Sequence, residues 1–404
     1  MKTFNKSTVN TLDLFAGAGG ISLGFHMAGY APGVMIDHCP YTLETLKTNL
    51  GHLGGVVLNQ DLQTLTPQQL TKYLDSSKIN SKFDLIIGGP PCQGWSMAGR
   101  AKLKSLGRSP SKHFKDSRNK LLMKYVSFVK YFQPKAFLME NVPGIRSYYG
   151  VNVLEKVMSS FEKAGFNTTC AEVNAHDFGI PQKRKRIIVV GVRKDLDKEF
   201  SFPQTNGLHG ARKFPMVTLR DAILDLPIIR DGNKVLIKPY NVNQNDLSPY
   251  ARLMRKGADQ QYVFDHICTE HRDSDVEAFR LLGQGGTYRD LPSKYKRYRD
   301  DTFSDKYQRL SWNEPSRCIT AHLSKDCYSH IHPTQARTIT VREAARIQSF
   351  PDGYFFNGGM CSQFKQIGNA VPPLLIKAFA LEIGKQILGS EKLTNQGRLD
   401  LLAW

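Results

Sequence analysis

A chain of 404 residues, 41% hydrophobic and 23% charged, has an ordinary globular composition. Its length suggests two or three domains and lets it bury roughly three quarters of its unfolded surface, which excludes a small scaffold dependent on staples. The 55 lysines and arginines outnumber the 36 acids, for a formal charge of +19. That excess favours polyanions such as nucleic acid, although a solubilising surface would read the same way.

The polar start, MKTFNKSTVN, shows no secretory leader, and no apolar run approaches the 18 residues of a bilayer span. The seven cysteines are scattered without a CxxC pair, so a reducing, cytoplasmic compartment is expected and not a disulfide framework. His266, Cys268 and His271 lie close together but lack four-ligand zinc spacing; no metal is expected.

Along the first half, short apolar runs alternate with helical patterns. Strands are predicted at 11–15, 33–36, 83–87, 136–139 and 186–192, with helices near 21–28, 41–50, 119–132 and 153–164. Such alternation predicts βαβ units, that is, an α/β fold with a doubly wound, mostly parallel sheet covered on both faces. Ligands of such sheets bind at the carboxyl ends of the strands. After about Phe200 the sequence turns richer in Pro, Gly, Asn and charge, which predicts a smaller, irregular second domain. Helical patterns return at 341–348 and 372–388.

The run from Asp13 to Gly20, DLFAGAGG, follows the first strand and opens a helix. Glycines let a ligand approach the backbone, and the helix start adds partial positive charge. Asp37 stands 20 residues past Gly17, at the end of the next strand, where an acid can accept hydrogen bonds from ribose hydroxyls. A dinucleotide fingerprint would need a third glycine at position 22, which is Ser22. A mononucleoside-like cofactor suits the segment better, and a plain structural turn stays open.

Gly88–Ser96, GGPPCQGWS, follows another strand. Pro90 and Pro91 stiffen the approach to Cys92, whose neighbours are turn formers and not the apolar surroundings of an inert core cysteine. Glu140 begins ENVPG at the end of a further strand, over the same crevice; a solvated strand-end acid is the alternative. In QKRKR (182–186), alternation places Arg184 and Arg186 on one face; a solvated basic edge is the alternative.

Taken together, DLFAGAGG, GGPPCQGWS, ENVPG, QKRKR, RTITVREAARIQSFPD (337–352) and QIGNAVPP (366–373) resemble the DNA (cytosine-5) methyltransferase family, in order and spacing, over nearly the whole chain except about 200–305. The resemblance implies the S-adenosylmethionine-dependent methyltransferase fold, that cofactor with S-adenosylhomocysteine as product, and double-stranded DNA as substrate. It implies that Cys92 attacks carbon 6 of cytosine, that Glu140 bonds to N3 and the exocyclic amine, that Arg186 touches O2 and orients Glu140, and that Arg184 supports them. Phe15 would pack on the adenosine, Asp37 hold the ribose and Asp61 meet the adenine amino group. Ala16, Gly17, Gly19, Gly20, His38, Leu62 and Asn369 would complete the cofactor site, and Gly368 would allow a tight approach. His38 departs from the common pattern, in which an aromatic follows the acid.

Carbon 5 of cytosine is a poor nucleophile, and addition of a thiolate at carbon 6 divides one hard step into easier ones. The target is buried in a duplex, so the base must flip out. Residues 97–124 carry nine Lys or Arg and one acid, Asp116. Arg100 and Arg118 are therefore expected at the DNA, through phosphates first, and the resemblance implies supporting and backbone contacts from Gln93 and Ser96. Residues 285–299 mix three tyrosines with five basic residues, which suits nucleic acid and makes Tyr288 and Arg289 candidates.

In this family the region before RTITVREAAR selects the target. The expected division is a catalytic and cofactor domain of 1–199 plus 362–404, with target recognition and hinge at 200–361. The implied protein is a monomeric bacterial or phage-type enzyme, cytoplasmic and nucleoid-associated through DNA, with a cognate restriction endonuclease acting separately or no partner at all. A tRNA methyltransferase of the same superfamily and a non-enzymatic DNA-binding module are the rivals; the tRNA branch's Cys-Phe-Thr signature is replaced by Cys318-Ile319-Thr320 in another context.

Overall fold

The computed structural model describes residues 9–91, 119–146, 152–205, 214–242, 244–296 and 306–389. These form two compact units. The first comprises described residues up to 174, then 185–204 and 373–389. The second comprises 175–184 and the described part of 205–372.

The first unit is built on a seven-stranded sheet: β1 (Thr11–Leu14), β2 (Val34–Asp37), β3 (Val56–Asn59), β4 (Leu85–Gly88), β5 (Ala136–Asn141), β6 (Phe166–Asn174) and β7 (Lys185–Arg193). Their order across the sheet is β3-β2-β1-β4-β5-β7-β6. The first five run parallel, β7 is antiparallel to β5, and β6 is antiparallel to β7. The helices are α1 (Gly20–Met27), α2 (Pro40–Leu50), α3 (Pro67–Ser76), α4 (Asn119–Phe132), α5 (Val153–Lys163) and α11 (Pro373–Ile383). The central strands are buried throughout, as TLDL, LIIG and AFLMEN show. That is why they read as near-continuous apolar runs, as strands covered on both faces do, broken by Thr11 and Asp13 in β1 and by Glu140 and Asn141 at the end of β5. Leu12, Ile86, Phe137 and Met139 pack with Val129, Val157 and Phe161 in one core.

The order reverses between β1 and β4, the switch point at which ligands enter such sheets. Leu14 pairs with Gly88, and Gly88 with Met139, so the loops leaving β1, β4 and β5 emerge side by side.

Three elements of this unit lie outside the predicted set. The edge strand β3 is short and only partly buried. The outer strand β6, FNTTCAEVN, is half-exposed without clean alternation. Helix α3 carried a local signal: Thr66 and Gln69 form a reciprocal capping box, with Pro67 in the first turn.

The second unit is irregular. It holds a two-stranded antiparallel ribbon, β8 (Ile237–Pro239) with β9 (Tyr262–Phe264), and the short helices α6 (Leu219–Ile223), α7 (Pro249–Arg255), α8 (Asp273–Leu281), α9 (Val341–Ile347) and α10 (Met360–Asn369). The compact units differ from the expected division at three places. Residues 200–204 belong to the first unit, and Ala175–Arg184 and residues 362–372 to the second. Side chains explain this: Gln182 accepts from Ile319 N at 2.9 Å and donates to Ile347 O at 3.2 Å. Gly368 lies so close to the chain at 320–321 that a Cβ there would fall 2.2 Å from Ala321 N.

The run Met360–Leu388 is long and apolar enough to cross a membrane by composition, but 83% of that window is buried inside the protein.

Candidate active site

The β1–α1 turn is built from unusual backbone. Phe15 has φ 63°, with Gly17 at 53° and Gly19 at 77°. Glycine adopts this region freely, whereas an aromatic residue there costs of order 1–3 kcal/mol, a strain that clusters at ligand sites. Asp37 pins the turn: its Oδ2 accepts from Gly17 N at 2.9 Å, while Oδ1 accepts from His38 N, Cys39 N and Thr42 Oγ1 at 2.8–2.9 Å. Ala16 and Gly20 are buried beneath the turn. Gly19, the residue capping α1, offers no side-chain hydrogen bond to the helix start, so no side chain of its own competes for the first N–H groups. At the end of β3, Leu62 is buried and Asp61 exposed, with Oδ1 accepting from Gln63 N. These groups therefore share the carboxyl edge, and His38 is exposed beside them.

Glu140 ends the parallel part of the sheet, near the last pairing of β5 with β7. Its Oε1 lies 2.7 Å from Arg186 Nε, and the two side chains are 11% and 12% exposed. Arg186 Nε makes no aligned hydrogen bond there, so the contact is an ion pair by proximity. Gly89 has no Cβ, and one built there would stand 3.1 Å from Glu140 Oε2. The carboxylate thus has one oxygen on a guanidinium and the other towards the segment that leads to Cys92. Cys92, Gln93, Ser96, Arg100 and Arg118 lie outside the described residues.

Arg184 and Arg186 are not brought together. Strand β7 starts at Lys185, so the alternation assumed for 182–186 does not reach Arg184. In the second unit the Arg184 guanidinium, almost fully buried, donates to the carbonyls of Ile319 at 2.6 Å, Ala370 at 2.8 Å and Gly368 at 3.3 Å. It ties the backbone at Ile319 to that at 368–370. Asn369 closes α10 in the same unit and is exposed.

The DNA-contact expectation for Tyr288 is corrected. Its ring is fully buried in an aromatic cluster with Phe279, Tyr295 and Tyr307. A short 3-10 turn sends the neighbouring Arg289 outwards instead.

One residue of the site had no assigned role. Asp13, on β1, is 1% exposed, with Oδ2 accepting from Ser22 Oγ at 2.6 Å. Burial pushes its carboxyl up to about 7, opposed by the Ser22 bond and reinforced by Asp37. The signal was an acid set alone in an apolar strand. Because the folded value lies above the ordinary 3.8, the carboxyl costs stability progressively as pH rises through 4–7. Asp13→Asn should therefore be more stable than the parent by up to about 4 kcal/mol at pH 8, at 1.36 kcal/mol per pH unit of displacement. The gap should shrink towards pH 4. Chemical unfolding at several pH values checks this, and a pH-independent gap would count against burial as the cause.

A doubly wound sheet with an acid-pinned glycine turn at its switch point, and a guanidinium-held glutamate two strands away, defines a nucleoside-cofactor enzyme of the methyltransferase fold class. The model of the C-5 cytosine-specific DNA methylases matches residues 9–385. The chain belongs to that family and is a DNA (cytosine-5) methyltransferase. It is similar to the type II methyltransferase M.Bpa9945I of Bacillus paralicheniformis, 32% identical over 94% of this chain and 99% of that one. It is also similar to M.DdeI of Desulfomicrobium norvegicum, 34% identical over 93% and 88%. Among solved structures, a candidate DNA modification methyltransferase from an Escherichia coli prophage superposes with a TM-score of 0.70 at 25% identity, covering 98% of this chain and all of that one. Dnmt2 of S. pombe, at 15% identity and a TM-score of 0.54 over 93% of this chain and 98% of that one, shares the fold.

Proposed function

We propose that this chain transfers a methyl group from S-adenosylmethionine to carbon 5 of a flipped-out cytosine in a specific duplex sequence, through a covalent bond between Cys92 and carbon 6. The observation that carries the reading is the Glu140–Arg186 pair beside Gly89, at the strand edge that also holds the acid-pinned cofactor turn.

The cofactor fits the residues present. Asp37 Oδ2 takes one bond from Gly17 N, and a carboxylate oxygen has room for a second donor such as a ribose hydroxyl. Phe15 would lie against the adenosine and Asp61 meet the adenine amino group, with Ala16, Gly17, Gly19, Gly20, His38 and Leu62 around them and Asn369 steadying the cofactor side. When bound, the cofactor supplies a sulfonium methyl.

The chain's own residues do the rest. Cys92 adds as thiolate to carbon 6, while Glu140 gives a proton to N3 and Arg186 holds the glutamate and the O2 edge. Electron density so released lets carbon 5 take the methyl. A base, a role water can fill, takes the carbon 5 proton, the electron pair so freed expels Cys92 as thiolate, and N3 returns its proton to Glu140, which restores the ring. Arg184, which braces backbone within the second unit, would have a supporting role.

Gln93, Ser96, Arg100, Arg118 and Arg289 would meet DNA, with residues 200–335 selecting the sequence. Residues 1–199 and 362–404 would carry catalysis and 200–361 recognition and hinge. The relatives named type II methyltransferases support a modification enzyme; in this reading it works as a cytoplasmic monomer, with any cognate endonuclease a separate protein.

The test is a duplex carrying 5-fluorocytosine in the target sequence, found by bisulfite sequencing of DNA from cells expressing the chain. With S-adenosylmethionine present, the chain should become covalently attached. Cys92→Ala should abolish attachment and methylation while DNA binding persists, weakening with salt as counterions are released. Undiminished turnover in Cys92→Ala would overturn the mechanism, and tRNA methylated in preference to duplex DNA would overturn the substrate.

A further inference from the structure

Asn141 follows Glu140 and ends β5. It is 2% exposed, and both ends of its amide are engaged. Nδ2 donates to the carbonyl of Pro90 at 3.2 Å, and Oδ1 accepts from Val142 N at 2.9 Å. We propose that Asn141 is a positioning residue for the reaction, fixing the Pro90–Pro91 segment, which leads in sequence to Cys92, relative to Glu140. This rests on the function proposed above.

The argument starts from what proline lacks. Pro90 and Pro91 have no N–H, so neither can be held through a backbone donor. Their polar handles are carbonyls, and Asn141 takes that of Pro90. Glu140 and Asn141 are adjacent on one strand, and successive side chains point to opposite faces. One residue therefore presents a carboxylate beside Gly89 while the next grips the carbonyl of the residue after Gly89. The acid and the entry to the nucleophile share one rigid support. Because Oδ1 is anchored by Val142 N, the amide cannot rotate away from Pro90 without leaving a buried donor unpaired, which is costly.

Asn141→Asp keeps the shape but places an acceptor where the donor was, facing another acceptor. Asn141→Ala removes the grip altogether. Displacement of a reacting group by about 1 Å can cost about 100-fold in rate. Single-turnover methylation should therefore fall 10- to 100-fold in both variants, with cofactor affinity and the KM for DNA within about threefold of the parent. Covalent attachment to the 5-fluorocytosine duplex should slow by the same factor. Rates are taken per cofactor-binding site, so that an unfolded fraction does not enter, and Asn141→Ala serves where the charged variant does not fold.

If the parent attaches and the variants attach at its rate, or lose activity only in proportion to lost folded protein, Asn141 is merely structural and the inference fails. If the parent itself does not attach, the failure lies with the proposed function.

Discussion

Glu140→Gln is expected to lower single-turnover methylation by about 10²–10⁴-fold, the range that positioned proton transfer contributes. Glutamine keeps the volume and can still accept from Arg186, but it has no proton to give to N3. Ground-state binding of the duplex should change little, because the loss falls on the step that charges the ring. Arg186→Met should act in the same direction for a different reason. It strips the guanidinium from Glu140 Oε1, now 2.7 Å away, and leaves the carboxylate without its partner. Methyl transfer from labelled cofactor, read alongside the KM for duplex DNA, checks both. A Glu140→Gln rate within threefold of the parent would remove Glu140 from the chemistry.

Arg346→Met should destabilise the second unit by about 3–5 kcal/mol, the cost of breaking a buried ion pair from one side. Arg346, fully buried, donates to Asp352 Oδ1 at 2.8 Å and Oδ2 at 2.6 Å, to Asp225 Oδ2 at 3.0 Å and to Ala222 O at 2.9 Å. Arg255 also donates to Asp225, at 2.6 and 2.9 Å, and Tyr240 to Asp352 at 2.6 Å. Two guanidiniums and two carboxylates balance, and removing one guanidinium strands the acids. Burial works against the Asp352 carboxylate, but Arg346 outweighs it and holds the carboxyl below its ordinary value. Its stabilising share is therefore present above pH 4 and disappears as pH falls below that. Adding Asp352→Asn to Arg346→Met should recover part of the loss. Denaturant unfolding measures all three variants, and a loss under 1 kcal/mol for Arg346→Met would show that the network is solvated.

Further buried pairings account for the rest of the RTITVREAARIQSFPD block. Arg337 donates to both oxygens of Glu343 at 2.7 and 2.9 Å, and Thr340 caps the helix that Glu343 helps to start. Burial opposes the Glu343 carboxylate, yet Arg337 holds it well below the usual range. Arg342 spends its guanidinium on the carbonyls of Phe264, Pro351 and Tyr354. In this block the arginines are internal braces.

What was legible in the sequence was local or doubly buried. Strands β1, β4 and β5 announced themselves because burial on both faces favours near-continuous apolar runs. The turn at Gly17 and the stiff approach to Cys92 were readable because positive φ and missing N–H groups depend on residue type alone. Only the tertiary structure decided the rest. Strands β3 and β6 sit at sheet edges, where partial exposure erases the pattern. Arg184 and Arg186 differ by two positions, but the strand begins between them, so one braces backbone in the second unit and the other holds Glu140. Tyr288 and Arg289 are neighbours in a basic, aromatic stretch, yet one ring is core and the other side chain is exposed. Composition cannot choose between them, because burial is set by what the rest of the chain packs against each residue.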